Sequence, residues 1–476
     1  MDALPSLVAA LMPDVCCPQP TSAGLPDITT YARVARVLGG TTAVIVDASS
    51  AAHRLAAGID QMPLDAFAGE LWQRTVSEVV ALPAVKVVVL VFANAAASAA
   101  APMRKRRISA AVSRDMVARG RFAQKYTASS AAAADWQALC DAVVAFIVAG
   151  HADVGAAHVI VHGLTPTPMC LGPDADSAVH DATVWQEAAA AAPSLGLALP
   201  ADMAAAADAD TAVAAWARVL AAHATLVVAD DVAVLAALMV YSVLSTTVVA
   251  RGTLTLLRPH GITVPVRSDA PAAAPPTAAV PRAACSVPQY INVHAAVMGI
   301  NALLAPALVE ASVVGARDHG VLALLVLALC HSHEFSPATW FMRDGGLCSA
   351  LTEMVAAATE RRLGQLVSCD DATGAVSVRV AGVDQLAAAV EPAGTRRTGS
   401  GGANAQAARL ALWLARLTQA SRSPGWRVPD ARAVNDNSGR SVWGYAADGS
   451  FTDSVDVRLV HVCGGGGGGG GGVTTA

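Results

Sequence analysis

Two short apolar runs, each closed by aspartate, constrain the fold of this chain more than any other feature. Val44-Ile45-Val46-Asp47 and Thr225-Leu226-Val227-Val228-Ala229-Asp230-Asp231 show no alternation of polar and apolar residues. Both therefore read as strands buried on two faces, the pattern of a parallel sheet covered by helices. Open sheets of this kind bind ligands beyond the carboxyl ends of their strands, and each run delivers its acids there. Asp208, Asp210 and Glu334 likewise stand where a helix begins or an apolar run ends. Carboxylates gathered at one edge repel one another unless cations neutralise them, and hard oxygen donors select Mg²⁺ or Mn²⁺. The candidate metal ligands are thus Asp47, Asp208, Asp210, Asp230, Asp231 and Glu334.

The pattern around these runs alternates strand and helix. Strands are predicted at 43–47, 85–92, 157–162, 225–229 and near 247–257, and helices at about 62–81, 103–125, 134–149, 211–222 and 232–240. Such alternation implies an α/β fold, a mostly parallel twisted sheet with helices on both faces. The organisation expected is a lead-in over residues 1–38, the sheet core over 39–267, an Ala/Pro-rich linker over 268–288 and a helical extension over 289–365. A C-terminal α+β region over 366–462 follows, with a strand at 375–381 and a helix at 405–418, and then a glycine-rich tail over 463–476. The tail contains nine consecutive glycines, which lose the most backbone entropy on ordering, so it is expected to be disordered.

Composition removes several function classes. A net charge of −5 does not suit a general nucleic-acid coat protein, whose affinity comes from Lys and Arg displacing counterions. It leaves room for a local basic site, and Met103-Arg104-Lys105-Arg106-Arg107 with Arg114, Arg119, Arg121 and Lys125 is the one basic concentration in the chain. None of the nine cysteines forms a CxxC pair, which points to a reducing, intracellular compartment. Met1-Asp2 opens no basic leader, so no signal peptide is expected. The uncharged stretch Val232 to Ala250 is long enough to span a bilayer, but it contains Ser242, Ser245, Thr246 and Thr247 and divides naturally into a helix and a strand. The expectation is a soluble chain with no membrane partner, and a helical membrane or scaffold protein is the alternative from another class.

Taken together, the acidic segments resemble the PIN-like 5′-nuclease superfamily, which includes flap endonucleases and 5′→3′ exoribonucleases. Gly39-Gly40 and Ala43 to Ser50 are similar to its first strand. Leu195-Gly196-Leu197 followed by Asp208-Ala209-Asp210 resembles its acid-Ala-acid helix start, and Val227 to Leu235 its aspartate-rich turn. Ser332-His333-Glu334-Phe335-Ser336-Pro337 stands where the exoribonuclease branch has Gly-Asn-Asp-Phe-x-Pro. The resemblance covers roughly residues 39–340. It implies phosphodiester hydrolysis on single-stranded or flap DNA or RNA, with one or two Mg²⁺ or Mn²⁺ ions held by the six acids. It further implies that Lys105, in a Pro-x-x-Lys pattern with Pro102, and Arg114 grip the phosphate beside the scissile bond.

Two positions depart from the family. Phe92-Ala93-Asn94 replaces its Phe-Asp-Gly, and Ala233 stands where it offers a second acid after the aspartate-rich turn. An alanine methyl ligates no metal, so the resemblance also admits a catalytically impaired fold that binds nucleic acid or protein. Simpler readings exist for the acids themselves, because Asp47, Asp208 and Asp210 are all placed to cap a strand or a helix. Asp174-Ala175-Asp176 is a rival acid-Ala-acid triplet. Cys330, His331 and His333 with His319 form one zinc-like cluster, without the second ligand pair that zinc sites usually show. Ser49, Ser50 and His53 lie in no Gly-x-Ser-x-Gly elbow, and no Gly-x-x-x-x-Gly-Lys loop is present.

Overall fold

The computed structural model describes residues 4–13, 16–17, 39–58, 64–73, 75, 82, 84–92, 142–143, 145–146, 158–163, 169–171, 209–220, 223–244, 254–265, 284–315, 319–331, 346–369, 376–390, 442–445 and 451–455. Its centre is an eight-stranded sheet. The strands are β1 (Cys16–Cys17), β2 (Ala43–Asp47), β3 (Val87–Val91), β4 (His158–His162), β5 (Met169–Leu171), β6 (Thr225–Val228), β7 (Leu254–Pro265) and β8 (Ala284–Asn292). They lie in the order β1-β8-β7-β6-β2-β3-β4-β5. The five from β7 to β4 are mutually parallel; β5 at one edge and β8 near the other run antiparallel to them, and β1, antiparallel to β8, closes that edge in the direction of the five.

Chain order reverses in the middle of this sheet. From β2 the chain steps outward to β3 and β4, then returns to place β6 on the opposite side of β2 and β7 beyond it. The crevice between β2 and β6 is therefore the topological switch point, where open α/β sheets receive ligands. In register, Val46 faces Val228, which sets Asp47 level with the chain leaving β6.

Both faces of the sheet are covered. All five residues of β2 and all five of β3 are buried, as expected of strands sandwiched between helices. Alternation by two divides them between layers. Ala43, Ile45, Val87, Val89, Val91 and Val227 join one continuous core with the helices α4 (Ala209–Val219) and α5 (Val232–Leu244). Val44, Val46, Val88 and Leu90 are buried on the other side, where α2 (Ala48–Gly58) packs on β3 and α3 (Leu64–Trp72) on α2. Alanine contributes here as a spacer: Ala209, Ala212, Ala214, Ala236 and Ala237 are fully buried and let α4 lie close to the sheet and α5 close to α4.

Helix α5 lies within the segment that is long enough to span a bilayer, and Val234 to Val240 in it are completely buried, as a helix apolar on every side is in a globular core. Beyond it the core continues into α6 (Val293–Glu310), α7 (Gly320–His331), α8 (Gly346–Thr359) and α9 (Val380–Val390), with α1 (Leu4–Leu11) against α5 and α8. By length and composition α6 alone among the described residues could cross a bilayer, yet Val293, Val297, Ile300, Leu304 and Leu308 turn one face of it into this core. Two hairpins complete the described elements, β9 (Val367–Cys369) with β10 (Val376–Val378), and β11 (Val442–Tyr445) with β12 (Phe451–Val455).

Several sequence expectations need correction. The segment 268–288 does not end as linker, because β8 begins at Ala284 and pairs with β7 through Pro265. A helix, α2, follows directly from Asp47 where no element was expected, and α9 begins within the expected strand end at 380–381 and continues over residues to which no element was assigned. The edge strand β5 was also missed, being only three residues long. The expected helices at 103–125 and 405–418 and the glycine tail lie outside the described residues.

Candidate functional site

At the carboxyl edge of the sheet the chain turns twice from strand into helix through an aspartate. Asp47 ends β2 and is the N-cap of α2: its Oδ1 accepts the Ser50 backbone N–H at 3.0 Å, and its Oδ2 accepts the Ser50 hydroxyl. It is 1% exposed. Asp231 follows β6 and caps α5 in the same way, its Oδ1 accepting the Ala233 N–H at 2.9 Å. Both caps satisfy backbone donors that a helix N-terminus otherwise leaves open, and both place negative charge at the positive end of a helix dipole. The two caps flank the switch point on adjacent parallel strands.

The start of α4 reaches the same edge. Its C-terminal end leads into β6 through a loop tied to the amino edge, where Ala224 exchanges hydrogen bonds with Thr42. From there α4, packed on β2, β3 and β6, runs back for about 16 Å at 1.5 Å per residue. A five-residue strand covers about the same distance. Asp210, in the first turn of α4, is therefore delivered to the carboxyl edge, although its side chain lies outside the described residues. Asp208, Glu334, Lys105, Arg114 and Ala93 lie outside them as well, together with the rival triplet at 174–176 and His333.

Asp230 takes a different direction. Its carboxylate accepts the His260 backbone N–H at 2.8 Å through Oδ1 and pairs with His260 Nδ1 at 3.0 Å through Oδ2. Arg258 Nη2 donates to its carbonyl at 3.4 Å, while Arg258 Nη1 holds Gln289 Oε1 at 3.1 Å. His260 and Arg258 belong to β7, and β6 separates β7 from β2. The Asp230 side chain thus leans away from Asp47.

A residue that sequence reasoning missed sits at the end of β4. His162 is fully buried, and Trp216 Nε1 on α4 donates to its Nδ1 at 3.1 Å, with the two rings edge to face at 88°. An accepting Nδ1 puts the ring proton of the neutral imidazole on Nε2. Burial pushes its pKa down from 6.5 to about 4. Gly163 follows with φ +97°, and a Cβ there would lie 2.0 Å from the Phe92 carbonyl oxygen. These contacts fix α4 against the end of the strand beside the candidate site. A histidine ending an apolar run was visible in the sequence, but its partner 54 residues away was not.

The donor chemistry at this edge suits a hard divalent cation in part. Each carboxylate offers oxygen donors of the kind such an ion takes, and on Asp47 and Asp231 part of that capacity is taken by the helix caps. Among the described residues, however, no three His, Cys, Asp or Glu side chains are grouped to hold a metal. The acids that could complete such a group, on α4 and after α7, lie beyond those residues. A comparison with models of known protein families finds no match to the chain, and a comparison with the curated proteins finds none either.

Proposed function

We propose that this chain is a divergent PIN-like 5′-nuclease fold that engages single-stranded or flap nucleic acid at the carboxyl ends of β2 and β6. One observation carries the reading: Asp47 and Asp231 flank the switch point of a doubly wound sheet, each at a strand-to-helix turn, with the first turn of α4 at the same edge. Asp47, Asp208, Asp210, Asp231 and Glu334 would hold Mg²⁺ or Mn²⁺. The ion, when bound, supplies Lewis-acid polarisation of the phosphoryl group and of water for phosphodiester hydrolysis. Asp47 and Asp231 are held rigidly by their caps, so their oxygens are oriented before any ligand arrives. Lys105 and Arg114 bind the backbone phosphates.

A specific observation favours a second reading, a non-catalytic nucleic-acid or protein-binding module. Asp47, Asp230 and Asp231 all accept hydrogen bonds from protein groups, and Ala233, 3% exposed, occupies a position where the family has an acid. Cleavage of a 5′-labelled single-stranded oligonucleotide in Mn²⁺ separates the two. The nuclease reading expects feeble cleavage that Ala93→Asp, alone or with Ala233→Asp, restores. Each tenfold gain corresponds to about 1.4 kcal/mol of transition-state stabilisation. No cleavage by the double variant, with no metal binding by calorimetry, would leave only the binding module.

A further inference from the structure

Helix α4 covers the switch point, packed on β2, β3 and β6 and against α5. Five of its eleven residues are alanine, and the fully buried Trp216 is by far its largest side chain. A helix of this length is marginal in water on its own, and stabilisation by burial scales with the apolar area removed from water, of which alanine offers little. Trp216 is therefore the main single attachment of α4 to the sheet. Its indole N–H donates to His162 Nδ1 at 3.1 Å. The backbone on the histidine side is fixed, because the Phe92 N–H donates to the His162 carbonyl at 2.8 Å and Gly163 passes too close to the Phe92 carbonyl for any side chain. The contact accepts one protonation state only. An indole N–H cannot accept, and an imidazolium carries N–H on both nitrogens, so protonation sets two donors against each other between fully buried rings. In the same layer stand the apolar Val91, Ile160 and Val213. The titratable or charged groups on the surrounding strands are Asp47, one strand past Val91, His158 at the opposite end of β4 and Cys170 on β5; on α4 they are Asp210 and Arg218, whose side chains lie outside the described residues.

We infer that His162 and Trp216 form an acid-operated latch: protonation of His162 breaks their hydrogen bond and releases α4 from the sheet, uncovering the crevice between β2 and β6 while the rest of the core stays folded. The latch acts whatever ligand the crevice takes, so it does not rest on the nuclease reading. Local opening of this kind is expected of the least anchored element of a fold. Its direction follows from where the ring titrates. With α4 open the imidazole is solvated and takes up a proton near pH 6.5, whereas burial in the closed form pushes that down to about 4. The closed form is therefore fully favoured above pH 6.5 and loses ground as the pH falls from there towards 4.

Hydrogen exchange of the full chain between pH 7 and pH 4, read by mass spectrometry and referred to the rates of unstructured peptides at each pH, tests the latch. Protection of residues 209–219 should fall about 100-fold at pH 4, close to tenfold for each pH unit below 6.5, while α6 and α7 keep theirs within about threefold. His162→Gln retains an acceptor for the indole N–H but does not titrate, so its α4 should stay protected down to pH 4. Trp216→Phe lacks the N–H, and its α4 should already be about tenfold less protected at pH 7 with α6 unaffected. Loss of protection in α4 and α6 together in the wild type, or an acid loss in H162Q as large as in the wild type, would overturn the inference. If H162Q does not fold, W216F decides: protection of α4 equal to wild type at pH 7 would show that the hydrogen bond holds nothing.

Discussion

His162 shows how a single buried side chain ties the candidate site to solution conditions. Its pKa in the fold is about 4 because burial disfavours the imidazolium, while the unfolded chain titrates near 6.5. Above pH 6.5 both states are neutral and the residue contributes no pH dependence. As the pH falls from 6.5 towards 4 the unfolded state takes up a proton that the folded state refuses, so stability is lost across that window and levels off below it. The loss amounts to about 3 kcal/mol, since each pH unit separating the two titrations is worth roughly 1.4 kcal/mol. Urea denaturation at pH 7 and pH 4.5 should show this loss in the wild type and a smaller one in His162→Gln. Equal losses in the two proteins would mean that other groups govern the acid response. Of the residues around the site, the acids were legible because an apolar run ending in Asp is a local pattern. His162 with Trp216, and Asp230 with His260, were not, since each pair joins distant segments that only the folded sheet brings together.

The elements explain why the same aspartates admit both a structural and a chemical account. A parallel strand that passes directly into a helix must cap that helix, and Asp at the turn does so for α2 and α5. Replacing Asp231 with Ala should cost about 1 kcal/mol through the lost cap, while Asp231→Asn should retain most of the stability. If the proposed ion binds at this edge, its affinity should fall in both, because neither a methyl group nor an amide has the charge of a carboxylate. Thermal melts beside Mn²⁺ titrations of the pair measure the two roles separately, and unchanged Mn²⁺ affinity in Asp231→Asn would leave Asp231 as a cap alone. Strands β2, β3, β4 and β6 were predictable to within a residue or two because unbroken valine and isoleucine runs bounded by polar residues are compatible with little else. Helix α2 escaped notice because Ala48 to Gly58 is alanine-rich, with few large apolar side chains to mark a buried face. Strand β8 was hidden by Ala and Pro in a segment whose pairing with β7 is antiparallel and non-local.

For the whole molecule, the charge distribution and the sheet topology make one joint prediction. If Lys105 and Arg114 bind phosphates beside the carboxyl edge, replacing both with Ala should weaken single-strand binding and reduce the slope of log affinity against log salt by about 1.4, at roughly 0.7 per phosphate contact. Fluorescence anisotropy across a salt series reads this directly, and an unaltered slope would detach the basic segment from the site. The sequence by itself determined that the segments of β2, β3, β4 and β6 are buried strands, that strands alternate with helices, and that the runs of β2 and β6 end in acid. These follow from periodicity and from the cost of burying unpaired polar groups, which act within a few residues. Only the tertiary structure decided the strand order, and with it that β2 and β6 are neighbours across a switch point while β7 lies beyond β6. It also decided that Asp47 and Asp231 cap α2 and α5 while Asp230 bonds to His260 of β7. Strand order and side-chain direction are set by packing between segments far apart in the chain, where local patterns carry no information.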